Sequence, residues 1–278
     1  MRKLLNSLLI LFLLISLASA QLASAQSANE TEEEIIADML MRMSPLEKVG
    51  QLMLISFDGT NTSDNSEIAN LIKEYHIGGV VLSTANENFV NEDVETNTQT
   101  LITELQTINY QKSLDTSNLV SFKDGAPVYV PLYIGLNQLD ENDLSLKMFP
   151  GTRNLPSQMT LGATWSPNLV SAIGEAYGAE LSRLGFNLFL GPNLDLIDTS
   201  DTSRGWYTGT KSFGSDPYWV GKMSKAFVNG LHEGSENRIS VIASHFPGLG
   251  GADRPPSHEV STIQRSLDQL KQNELAPF

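Results

Sequence analysis

The stretch Ser166–Pro192, S-P-N-L-V-S-A-I-G-E-A-Y-G-A-E-L-S-R-L-G-F-N-L-F-L-G-P, places a helix directly before a strand. Ser166 and Pro167 open the helix, since serine caps a first turn and proline suits the first helical position. The helix runs through Leu184, and Phe186–Leu190 then forms an apolar strand that Gly191-Pro192 ends. The same order recurs on both sides. Upstream, Gln51–Phe57 (Q-L-M-L-I-S-F) reads as a buried strand, and Ser66–Tyr75 as a helix with Ile68, Leu71 and Ile72 on one face. His76-Ile77-Gly78-Gly79 closes that helix with C-terminal glycine chemistry. Val80–Leu82 is a short strand, Val94–Lys112 a long helix and Val128–Leu136 a third strand. Downstream, Asp216-Pro217 starts a helix through His232, Ile239–Ala243 is the fifth strand, and Ser261–Asn273 its helix. Ahead of all these stand a helix over Glu32–Met43 and a second start, Ser44-Pro45-Leu46-Glu47, with capping-box spacing.

Strands without a polar alternation have no face for water. Alternating with helices, they predict an α/β protein whose parallel sheet is covered on both sides. Two architectures fit: an open doubly wound sheet and a (β/α)8 barrel, here a partial one of about five βα units. Both gather chemistry on loops at the carboxyl ends of the strands. No G-x-G-x-x-G follows the first strand, which weakens the dinucleotide-binding version.

The N-terminus reads as a secretory signal peptide over residues 1–25. Arg2 and Lys3 precede the run L-L-N-S-L-L-I-L-F-L-L-I-S-L, and A-S-A follows at Ala18–Ala20 and again at Ala23–Ala25. The apolar run is shorter than the roughly 18–20 residues a spanning helix needs. Residues 26–31 form a polar linker, and residues 32–278 the barrel-like domain. The expected protein is therefore secreted or extracytoplasmic, with no membrane segment after cleavage. Cysteine is absent, so no disulfide supports the core. Net charge is −14, and −16 without Arg2 and Lys3. Such a surface excludes a nucleic-acid partner and disfavours anionic lipid; it suits a neutral ligand, though solubility alone accounts for it.

The chemistry-bearing residues lie in the loops. Ser244–His258, S-H-F-P-G-L-G-G-A-D-R-P-P-S-H, follows the fifth strand and holds His245 and His258. The loop after strand four carries Asp195, Asp198, Arg204 and Lys211, with the aromatic rings of Trp206 and Tyr207. Asp195 fits two roles equally, fixing its loop through backbone hydrogen bonds or touching a ligand. His76 and His232 end helices, where a partial positive charge suits the dipole, and Trp219 reads as core. Histidine spacing matches no zinc pattern, so no metal site is expected.

Six motifs in order carry a family resemblance: M-S-P-L-E-K-V-G-Q-L (Met43–Leu52), I-G-G-V-V-L (Ile77–Leu82), G-P-N-L-D (Gly191–Asp195), G-T-K-S-F-G-S-D-P (Gly209–Pro217), S-H-F-P-G-L-G and E-L-A-P-F. Together they resemble the N-terminal barrel of family 3 glycoside hydrolases, nearest the β-N-acetylglucosaminidase (β-N-acetylhexosaminidase) branch, over Glu32–Phe278. The resemblance implies a carbohydrate substrate, cell-wall or chitin derived, no cofactor, and retaining hydrolysis by a carboxylate nucleophile and a separate acid/base. By the motif positions, His258 is the acid/base, and Asn137, Asp195, Lys211 and His245 are substrate-binding.

Departures accompany the resemblance. Where the family has D-S-H this chain has P-S-H, so Pro256 stands where an aspartate would hold the Nδ1 proton of His258. Asp253 is the nearby substitute. K-H-F-P-G-H-G becomes S-H-F-P-G-L-G, with Ser244 for lysine and Leu249 for histidine. Lys211 replaces an arginine and loses its planar fork. Asn137 replaces a sugar-binding aspartate. The family's nucleophile follows a seventh strand, which lies beyond the motifs present, and five units do not close a barrel. Two functions are thus expected: an incomplete, weakly active or inactive copy of a secreted β-N-acetylhexosaminidase-like enzyme, or a non-catalytic carbohydrate-binding or scaffold relative. An unrelated doubly wound binding protein is the third.

Overall fold

The computed structural model describes residues 31–90, 92–114, 128–137, 155–197, 209–254 and 259–278. The signal-peptide reading, the linker up to residue 30, Asp198, Arg204, Trp206, Tyr207, Pro256 and His258 lie outside the described residues; Thr31, the last linker residue, is described.

Two helices open the described chain, α1 (Glu32–Arg42) and α2 (Pro45–Gly50). Each starts with the expected kind of cap: Ser44 Oγ accepts from the Glu47 N–H while Glu47 accepts from the Ser44 N–H, and Thr31 and Glu34 do the same. Then follow β1 (Leu54–Ile55), α3 (Glu67–Tyr75), β2 (Gly79–Leu82), α4 (Val94–Leu114) and β3 (Tyr133–Asn137). Next come α5 (Gln158–Ala163), α6 (Pro167–Leu184), β4 (Leu188–Asn193), a 3-10 turn (Gly209–Lys211), α7 (Pro217–Gly234), β5 (Ser240–Ser244) and α8 (Leu267–Gln272).

The five strands form one sheet in the order β1-β2-β3-β4-β5, every pair parallel. A doubly wound sheet reverses its order at a switch point. This one never reverses, so each strand is laid beside its predecessor as in a barrel. Among the described residues the winding is open, with β1 and β5 at its edges.

The core lies between the inner strands and the helices. Ile134, Leu136, Leu188 and Phe189 of β3 and β4 are buried. Phe189 meets Tyr177 of α6 edge-on at 5.5 Å and Phe227 of α7 at 5.9 Å between ring centres. Burying each such ring contributes roughly 1.5–3 kcal/mol. Among the described residues the Tyr177 hydroxyl has no hydrogen-bond partner, and its burial pushes its pKa far above the ordinary phenol value.

Several elements differ from expectation, mostly at the edges. Gln51–Phe57 yields only the two-residue β1. α2 persists to Gly50, and the turn bonds Leu52 N–H→Val49 O and Met53 N–H→Gly50 O consume the next residues. Leu52, expected to be buried, is 82% exposed. β5 is likewise only half covered, with Ile242 47% exposed, because no described strand pairs with its outer side. The left-handed residue that stops α3 is His76 (φ 54), not a glycine. Gly78 instead permits close approach, since a β-carbon there would lie 2.1 Å from the Gln51 carbonyl oxygen. Burial, then the Lys112 ammonium, also holds the His76 imidazole below its ordinary pKa, against the partial positive charge expected there. The last helix spans Leu267–Gln272 alone. Ser266 and Gln269 cap it, and an antiparallel bridge between Ala252 and Ile263 holds the preceding residues.

Candidate active site

Helices that return between parallel strands leave every strand's carboxyl end on one rim. On that rim β4 ends in Asn193 and β5 in Ser244. Gln158 of α5 grips the end of β4, donating to the Asn193 carbonyl (2.9 Å) and accepting the Asn193 N–H (3.2 Å). The Asn193 side chain then accepts the Asp195 N–H at 2.7 Å, and Leu194 N–H donates to the Ser244 carbonyl at 2.5 Å. The peptides Gly191-Pro192, Ser244-His245 and Phe246-Pro247 are cis.

These contacts place Asp195 at the centre of three loops. It is 1% exposed. Its Oδ2 lies 2.7 Å from His245 Nδ1, its Oδ1 accepts the Leu249 N–H at 2.6 Å, and its carbonyl accepts the Ser212 hydroxyl at 2.6 Å. Ser212 also bonds Gly214, whose carbonyl accepts the Ile197 N–H. The K-S-F-G segment is thereby fastened to the loop after β4. A carboxylate can only accept, so His245 presents Nδ1–H to Asp195 and keeps Nε2 as its outward nitrogen. The imidazole is 35% exposed, and among the described residues Nε2 has no hydrogen-bond partner. The imidazole is held in one orientation at the sheet's mouth by a carboxylate that is itself closed to solvent.

Of the residues expected at the site, Asp195 and His245 are brought into direct contact. Asp195 does not face outward; it takes the loop-fixing role, by a side-chain pair as well as backbone bonds. Lys211 sits half-buried on the 3-10 turn just before Ser212. Asn137 ends β3 beside Leu190 of β4, and its side chain is outside the described residues. Asp253 is engaged locally: Oδ1 accepts the Thr262 N–H at 2.8 Å and Oδ2 pairs with Arg254 at 3.0 Å. The Thr262 N–H, then the Arg254 guanidinium, hold its carboxyl below the usual range. Arg254 also pairs with Glu259. Trp219 is partly buried as expected of core, meeting Trp165 edge-on at 4.9 Å. Reasoning from sequence missed Gln158, Asn193 and Ser212 as the scaffold of the pair. The signal for Asn193 was its place in G-P-N-L-D, two residues before Asp195; Gln158 left none. Among the described residues no three histidine or acidic side chains converge on a metal position, and no helix is long and apolar enough to cross a membrane.

A sequentially wound parallel sheet with a histidine–carboxylate pair on its carboxyl rim defines a barrel-type α/β protein. The chain belongs to glycosyl hydrolase family 3: residues 46–278 match the family's N-terminal domain. It is similar to a beta-hexosaminidase of Chromobacterium violaceum, 30% identical over 138 residues, covering 48% of this chain and 37% of that protein. It is also similar to the beta-hexosaminidase LpqI of Mycobacterium tuberculosis, 22% identical over 236 residues, covering 85% and 51%. Among solved structures, a family 3 beta-N-acetylglucosaminidase from Paenibacillus sp. str. FPU-7 superposes with a TM-score of 0.68 and 26% identity, covering 84% of this chain and 39% of that one. The chain thus spans about half or less of the length of these relatives.

Proposed function

We propose that this chain forms the sugar-gripping front of a retaining glycosidase acting on terminal β-linked N-acetylglucosamine or a related β-glycoside. The observation that carries the reading is the Asp195–His245 pair. With Nδ1–H tied to a buried carboxylate, the imidazole presents Nε2 to a sugar hydroxyl in one orientation. Family membership and the similarity to proteins named beta-hexosaminidase support this choice of sugar class.

Retaining hydrolysis needs a carboxylate nucleophile about 5–5.5 Å from an acid/base. Asp195 is not that nucleophile, because both its oxygens are engaged by protein and it is closed to solvent. His258 stands at the family's acid/base position with Pro256 where its orienting aspartate belongs. Asp253, the nearby carboxylate, is committed to Thr262 and Arg254. A polypeptide of residues 1–278 alone is therefore expected to bind sugar and to hydrolyse weakly or not at all, which also suits the non-catalytic binding reading. The leader composition of residues 1–25 supports export to the cell exterior or envelope.

Two measurements test this. N-acetylglucosamine should bind the 278-residue polypeptide in calorimetry, and His245→Ala should abolish binding, while a chromogenic N-acetyl-β-glucosaminide is turned over little. Rapid turnover, or no binding by the unsubstituted chain, contradicts the proposal. N-terminal sequencing of exported protein should begin after Ala20 or Ala25; recovery with Met1 intact contradicts the export reading.

A further inference from the structure

The loop that carries His245 is gripped from two sides. On one side Leu249 N–H donates to Asp195 Oδ1 at 2.6 Å. On the other lies Glu274, the first residue of E-L-A-P-F, 1% exposed and paired through Oε1 with Arg265 Nε at 3.1 Å. The fit there is close. Gly248 has φ 124, and a β-carbon on it would stand 2.8 Å from Glu274 Cβ; one on Gly251 would stand 3.1 Å from Arg265 Nε and 3.2 Å from Glu274 Oε1. Glycine at both positions lets the loop backbone lie directly on the ion pair.

A buried carboxylate is costly, and Glu274 carries that cost with Oε2 lacking a hydrogen-bond partner among the described residues. A cavity of about 180 Å³ lies alongside, lined in part by Ser215, Gly250, Arg265, Asn273 and Glu274 itself. Oε2 itself has almost no accessible surface. On its Oε1 side the carboxylate lies against Gly251 of the loop.

We propose that Glu274 and Arg265 are positioning residues for His245. Their ion pair seats Gly248–Gly251, the seated loop aims the Leu249 N–H at Asp195, and Asp195 in turn orients the imidazole. The functional meaning of this chain of contacts rests on His245 as a sugar contact; the contacts themselves do not.

The test compares the full chain with Glu274→Ala, Glu274→Gln and Arg265→Lys by amide hydrogen exchange and by the ring-nitrogen NMR signals of His245. Glu274→Ala should speed exchange at Leu249 roughly tenfold or more beyond any change at Phe189, and should abolish the single Nδ1–H form of the imidazole. Glu274→Gln, which keeps shape without charge, should fall between, and Arg265→Lys should retain most of the protection. If Glu274→Ala does not fold, Glu274→Gln carries the same comparison. Equal changes at Leu249 and Phe189, or an unaltered His245 spectrum, overturn the proposal. Failure of N-acetylglucosamine to bind the unsubstituted chain would instead sink the sugar reading and leave this coupling standing.

Discussion

The strand leading to Asp195 and the edge at β1 are both drawn from apolar runs, F-N-L-F-L and Q-L-M-L-I-S-F, yet they end in opposite states. Around β4, Phe189 is sealed between α6 and α7, and every polar group of Asp195 and Asn193 named above has a partner. Around β1, Leu52 and Met53 lie open, and α1 buries none of its residues. The difference is neighbours. An inner parallel strand is bonded on both sides and covered by helices, whereas an edge strand has half of each. Hydrophobicity marks a residue for burial, but only a packed partner delivers it.

The largest expected effect lies at the sealed end. Phe189→Ala removes the ring shared by Tyr177 and Phe227 and should cost roughly 3–5 kcal/mol, read from urea unfolding. Next, Asp195→Ala leaves the Leu249 N–H without its acceptor and should cost about 1–3 kcal/mol, with the loss of sugar binding exceeding what instability explains. A loss smaller than that of a surface substitution would deny Asp195 its place between the loops.

His76 offers a pH test between the two regions. The folded imidazole takes a proton less readily than the unfolded one. Its stabilising contribution is thus complete above the unfolded value of about 6.5 and declines as pH falls towards the lower folded value. Unfolding followed from pH 7.5 to 5 should show less acid loss in His76→Asn, since asparagine tolerates the left-handed backbone without titrating. An unchanged slope would mean the imidazole is not desolvated. The smallest effect belongs to the open edge, where Leu52→Ser should alter stability by no more than about 0.5 kcal/mol.

How far the sequence could be read follows the same division. Ser44, Ser66, Ser166 and Asp216 each cap a helix within a residue of expectation, because capping is local chemistry. The choice between barrel winding and a doubly wound sheet was open in the sequence, since strand order depends on which strands meet. Edge strands misled, as Gln51–Phe57 did, because an apolar run does not state whether anything covers it. Asp195 and His245 were both singled out, but separately, Asp195 as a loop fixer or a sugar contact and His245 as a sugar contact; they lie fifty positions apart, and only the adjacency of β4 and β5 makes them a pair. Glu274 belonged to a recognised motif, yet nothing local shows that a carboxylate near α8 supports a loop after β5.

The central claim is that a buried Asp195 holds His245 with its proton on Nδ1 and Nε2 open to sugar. Nitrogen-15 NMR of the histidine rings at neutral pH, with and without N-acetylglucosamine, tests it most directly. The account predicts a protonated Nδ1 for His245 and a shift of its Nε2 signal on adding the sugar, both lost in Asp195→Ala. A proton resident on Nε2, or an Nε2 signal indifferent to the sugar, would contradict it.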